Sequence, residues 1–150
     1  MSNDKTTTGK INYCEAKGRK LLYAYAERMF PGYDTISFTP DCERHDAEIT
    51  RGSQKFYVEV KCRNNSNSKY SSGIIKATKR KWLESKIKEG HRAVYVYFYD
   101  DNTCRAWDLQ EIKTFSLRSL YVKKTEMDKN SPMEWQDHYD IENSDGRLFA

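Results

Sequence analysis

The chain has 150 residues, enough to bury one hydrophobic core but not two, and its 37% hydrophobic and 32% charged content suits a globular protein with a very polar surface. A mean hydropathy of −0.94 suits a soluble chain, and no run approaches the ~20 apolar residues that a membrane helix needs. The opening MSNDKTTTGK has no apolar stretch of the signal-peptide kind, so an intracellular, cytoplasmic protein with no membrane association is expected. Residues 1–11 read as a flexible leader and 12–150 as one domain. Helix one is predicted from about Asn12 to Phe30, where Pro31-Gly32 stops it. Cys14, Leu21, Leu22, Tyr25 and Met29 recur at helical spacing as its core stripe, with Glu15 at the edge. Glu15 also stands three residues after Asn12, an arrangement that makes a capping box.

A first strand over Tyr33–Phe38 leads through Pro40-Asp41 into the stretch HDAEITRGSQKFYVEVK, residues 45–61. Gly52-Ser53 is a two-residue hairpin signal between alternating runs, so Arg51 is expected opposite Gln54. Counting outward, Ile49 then faces Phe56 and Ala47 faces Val58, while on the other side Asp46 faces Glu59 and Arg44 faces Lys61. The polar segment after Lys61, from Arg63 to Lys69, reads as a flexible loop that could contact a polyanion or simply connect. Helix two is predicted from Ser71 or Ser72 to Gly90, with Ile75, Trp82, Leu83 and Ile87 buried and Lys79 interrupting that stripe.

Ala93–Tyr99 is a strand apolar on both faces, as suits the centre of a covered sheet. Asp100-Asp101-Asn102 turns it into a strand over Thr103–Trp107. Asp108 with Glu111 resembles a capping box for a short third helix to about Leu117. From about residue 121 an acidic extension follows, with Trp135, Tyr139, Ile141, Leu148 and Phe149 as apolar anchors in a strand or irregular segment. The four cysteines, Cys14, Cys42, Cys62 and Cys104, are scattered and read as reduced thiols. Cys42 and His45 have zinc-like spacing but lack the second pair a structural site needs.

The net charge of +4 conceals a segregation. Residues 61–92 hold ten Lys or Arg and two acids, whereas residues 125–150 hold two basic residues and seven acids. A basic centre points to a polyanion, most simply nucleic acid, with Arg63, Lys69, Lys76, Arg80, Lys81 and Lys86 as candidate contacts. A merely solvated helix face is the plainer alternative.

The hairpin carries the chemistry. Two carboxylates opposite each other in a sheet, about 4.5–5.5 Å apart at Cβ, repel. A divalent cation offsets this best, because hard carboxylate oxygens are what Mg²⁺ accepts. Lys61 projects from the same face, where it can stabilise developing negative charge or, if desolvated, take a proton. A solvated strand face is again the bland alternative.

An Asp at the foot of one hairpin strand, Glu59-Val60-Lys61 in the next, an upstream helix with Glu15 and a downstream helix with Lys79 together resemble the PD-(D/E)XK nuclease superfamily. The resemblance spans about Asn12 to Leu109, and His45 stands where the name-giving motif has proline. It implies a restriction-endonuclease-like α/β fold, a mixed sheet of four or five strands flanked by helices, like that of Holliday-junction resolvases. It implies Mg²⁺-dependent hydrolysis of DNA phosphodiesters, with Mn²⁺ as a substitute and no small-molecule cofactor. By the same resemblance Asp46, Glu59 and the Val60 carbonyl hold the metal, Lys61 assists, Glu15 and Lys79 reach the site, and a homodimer cuts two strands. The competing readings are a DNA-binding module of this fold without catalysis, and an interaction protein whose acidic tail covers its own basic face.

Overall fold

The computed structural model describes residues 17–38, 47–124 and 130–150. A first helix, α1, covers residues 17–29. The elements that follow are β1 (Thr35–Phe38), β2 (Ala47–Arg51), β3 (Gln54–Cys62), β4 (Ser72–Lys76), α2 (Ala77–Lys88), β5 (Arg92–Phe98), β6 (Cys104–Asp108), β7 (Phe115–Lys123), β8 (Met133–Glu142) and β9 (Arg147–Phe149). They form two sheets, one of six strands in the order β1-β2-β3-β5-β6-β9 and one of three in the order β4-β8-β7. In the larger sheet β3 and β5 are parallel and their other neighbours antiparallel. The fold class is therefore mixed α/β, as expected, with more strands than the four or five expected.

The alternation of side chains along β3 and β5 explains the layering. Phe56, Val58, Val94, Val96 and Phe98 face Leu22 and Phe30 of the α1 region in one core. Tyr57, Ala93, Tyr95 and Tyr97 face the opposite way, into a second core with Leu83 of α2 and with Ile75 and Ile141 of the smaller sheet, where the chain length led to the expectation of a single core. Helix α1 thus covers one face, and α2 with the small sheet covers the other. Central strands so enclosed read as apolar runs rather than as clean alternation.

The hairpin register is the expected one, with Arg51 opposite Gln54, Ile49 opposite Phe56 and Ala47 opposite Val58. Gly52 turns it at φ 60°, a left-handed conformation that a Cβ disfavours. Helix two is shorter than expected. Ser72–Lys76 is strand β4, because Gly73 and the β-branched Ile74 and Ile75 weaken a helix, and their edge pairs with β8. Ile75 is buried from that strand, while Leu83 on α2 is buried as expected.

The third helix is absent. Asp108 does accept a cap bond from the Gln110 amide at 3.0 Å, but it closes only a turn. Phe115–Lys123 then alternates as a strand and pairs along its whole length with β8. Of the tail's expected anchors Ile141 is buried, whereas Trp135 and Leu148 are exposed.

The two sheets meet at Trp107. Its ring is fully buried and its Nε1–H donates to the Glu142 carbonyl at 2.8 Å. Gly73 permits this approach, since a Cβ there would lie 2.8 Å from Trp107 Cη2. Among the described residues no helix is long and apolar enough to cross a membrane.

Candidate functional site

Glu59 is 5% exposed on β3, in register with Tyr95 of the parallel neighbour β5. A carboxylate so placed needs positive charge close by, because the effective penalty for burying an ion is several kcal/mol. Lys79 Nζ lies 3.1 Å from Glu59 Oε2, and Lys61 Nζ lies 3.9 Å from Oε1. Lys79 sits in the first turn of α2, which carries no acidic residue, so the helix dipole adds to the local positive field. Sequence reasoning placed these three side chains together, and the structure brings them together. Asp46, the expected facing carboxylate, and Glu15 lie outside the described residues. Val60 is on β3, where its side chain turns to the α1 layer and approaches Gly18.

Above this group opens a cleft of about 680 Å³ between the large sheet, the start of α2 and the small sheet. Lys61, Arg63, Lys76, Lys79, Arg118 and Lys123 line it, and its lining includes one carboxylate, Asp140. Asp140 pairs with Arg118 at 2.9 Å. The walls are stitched to the floor by phenols. Tyr95 and Tyr97 each donate to the Ile74 carbonyl at 2.9 Å, and Tyr97 Oη accepts from the Ile74 amide at 2.7 Å and from Arg63 at 3.2 Å. Burial raises the Tyr95 pKa well above its ordinary value, with the neighbouring Tyr97 adding to the effect, so the phenol stays a donor.

The loop after Lys61 is tied down rather than flexible. The Asn67 backbone amide donates to Asp101 Oδ2 at 2.9 Å, its side-chain amide to the same oxygen at 2.7 Å, and the Asp100 amide to the Asn65 carbonyl at 3.0 Å. The Thr103 hydroxyl first, and then the Asn67 amide, hold the Asp101 carboxyl below its ordinary value.

With this geometry in view, comparison with known proteins gives a fold. The chain is similar in structure to Hjc, a Holliday junction resolvase of the archaeal hyperthermophile Archaeoglobus fulgidus, at a TM-score of 0.52 with 85% of each chain covered and 14% sequence identity. The fold is restriction-endonuclease-like. No protein-family description and no curated protein sequence matches the chain.

Of the expected nucleic-acid contacts, Arg63 and Lys76 line the cleft. Arg80 stands elsewhere, 3.7 Å above the Phe115 ring and paired with Glu84 at 2.8 Å. Lys86 pairs with Glu89 at 3.3 Å and lies over Tyr57 and Trp82. Lys69 and Lys81 are exposed outside the cleft lining.

Sequence reasoning missed Arg118 and His138, which face each other across β7 and β8. The signal was present in the alternation of Arg118, Leu120 and Val122, hidden by reading the preceding cap as a helix start. His138 is 7% exposed with Nδ1 3.2 Å from the Gln136 carbonyl, and it lines the cleft beside Lys76. Burial pushes the Cys104 thiol up to about 12, keeping it protonated.

Proposed function

We propose that the protein is a metal-dependent endonuclease that hydrolyses phosphodiester bonds in DNA. The observation that carries this reading is Glu59, a buried carboxylate held between Lys61 and Lys79, two of the six cations that line the cleft among the described residues. Among the described residues no group of three or more His, Cys, Asp or Glu side chains gathers. The donor set still fits Mg²⁺ or Mn²⁺, because Mg²⁺ keeps several waters and needs only one or two carboxylates. Glu59 and the Val60 carbonyl would hold it, with Asp46, opposite Glu59 by the sequence register, as the second carboxylate. When bound, the metal supplies a water of lowered pKa and neutralises phosphate charge.

The chain's own residues do the rest. Lys61 stabilises the charge that develops on the phosphoryl oxygens. Lys79 holds the Glu59 carboxylate in place through its 3.1 Å contact and keeps the floor positive. Lys76 and Arg118, further up the walls, position the flanking phosphates and carry no sequence information.

A second reading, a DNA-binding module without catalysis, is favoured by one fact: Lys61 and Lys79 already compensate Glu59 without a metal. The test is incubation of the purified protein with linear, nicked, branched and single-stranded DNA in Mg²⁺, Mn²⁺ or EDTA. Cleavage that needs the metal, and that disappears in Asp46→Asn and in Glu59→Gln while DNA binding persists, supports the endonuclease. Binding with no cleavage of any DNA form supports the module.

A further inference from the structure

The cleft holds more than a phosphate clamp requires. Its volume of about 680 Å³ falls in the ~300–1,000 Å³ range of sites that engulf a compact ligand. That is the scale of a few nucleotide units.

Aromatic rings line it besides the cations. Tyr70 and Tyr121 both line the cleft, at 58% and 54% exposure, with Lys69 Nζ 5.6 Å from the centre of the Tyr70 ring. Tyr121 continues into Trp135, 71% exposed with ring centroids 5.4 Å apart.

We infer that the cleft binds single-stranded DNA, with the backbone following Lys61, Lys79, Lys76 and Arg118 and the bases stacked on Tyr70 and Tyr121. Cationic grooves interleaved with exposed rings are how unpaired strands are held without a demand for sequence. What then happens to the strand rests on the endonuclease reading; how it is held does not. The substrate class is an unpaired strand, such as a flap, a gap or an arm at a branch.

The experiment uses the full chain in EDTA with a fluorescently labelled 12-nucleotide strand and the matching 12-base-pair duplex at one salt concentration. The single strand is expected to bind at least tenfold more tightly. Tyr70→Ala and Tyr121→Ala should each weaken single-strand binding by about tenfold and leave duplex binding unchanged. Both rings are exposed, so melting temperature should not move. Equal or tighter duplex binding, or tyrosine variants that weaken both forms alike or neither, overturns the inference.

A parallel reaction in Mg²⁺ separates the two readings. Single-strand preference with no cleavage of any DNA ends the endonuclease reading and keeps this one. Efficient cutting of fully paired duplex without a strand preference does the reverse.

Discussion

The floor of the cleft and its far wall are built differently. On the floor, β3 and β5 are covered on both faces, and Arg92–Phe98 is buried at every position after the first. The wall, β7 with β8, is anchored at its base by Phe115, Tyr139 and Ile141, while Leu117, opposite Tyr139, and Tyr121, Met133 and Trp135, towards the far end, lie exposed. The groups proposed to act on the phosphodiester, Glu59 and Lys61, are on the floor, where core packing on two sides holds the backbone. Of the groups proposed to meet an unpaired strand, Arg118 and Tyr121 are on the wall, where fewer side chains are buried.

This contrast breaks most visibly at the joint between the two sheets. Trp107→Ala should destabilise the protein by about 3–5 kcal/mol, whereas Trp135→Ser on the exposed wall should stay within about 0.5 kcal/mol. Urea denaturation of the two variants measures the difference directly. Comparable losses would mean that the wall is as much a part of the core as the floor.

A smaller effect is expected at Gly73. The added Cβ of Gly73→Ala meets Trp107 Cη2 at 2.8 Å and Tyr97 Cε2 at 3.3 Å, so overpacking should cost about 1–3 kcal/mol. Weaker DNA binding should accompany it, because β4 carries both Ile74, the anchor of the two tyrosines, and Lys76. A variant as stable as the parent would show that the sheets can separate there at no cost.

The smallest effect is at the loop beside the floor. Asp101 has its pKa lowered by bonds made only in the folded chain, so its contribution is present above the ordinary carboxylate value of 3.8 and is lost as pH falls through the lowered one. In an NMR titration the Asn67 amide shift should move with a midpoint below 3.8. A midpoint at or above that value would mean that the loop is not tied through Asp101.

The sequence shows the floor far better than the wall. Gly52-Ser53 sets a hairpin register that leaves no freedom, and the unbroken run at 93–98 announces a buried central strand. Glu59, Lys61 and Lys79 were therefore legible as neighbours, with Lys79 four residues before the buried Leu83 on α2.

The small sheet was not legible, for physical reasons. Ser72–Lys76 is short and flanks a helix, so its two isoleucines fit a helical stripe as well as a strand. Asp108 is a true cap that closes a turn and no helix. β8 is half exposed and rich in acids, with no hydrophobic pattern strong enough to mark ten paired residues. One of its partners, β4, lies far along the chain, and pairing over such a distance leaves little local trace. Arg118, His138 and Gln136 were lost with that sheet.

The claim that Glu59 is a metal ligand at the floor is tested most directly by melting the parent and Glu59→Gln with and without Mg²⁺. A ligand that binds only the folded state raises its melting temperature by mass action, and a neutral amide is a poor donor to a hard dication. The parent should rise with millimolar Mg²⁺, and Glu59→Gln, still folded, should rise little or not at all. Equal shifts in the two proteins, or no shift in the parent, would contradict a metal site built on Glu59.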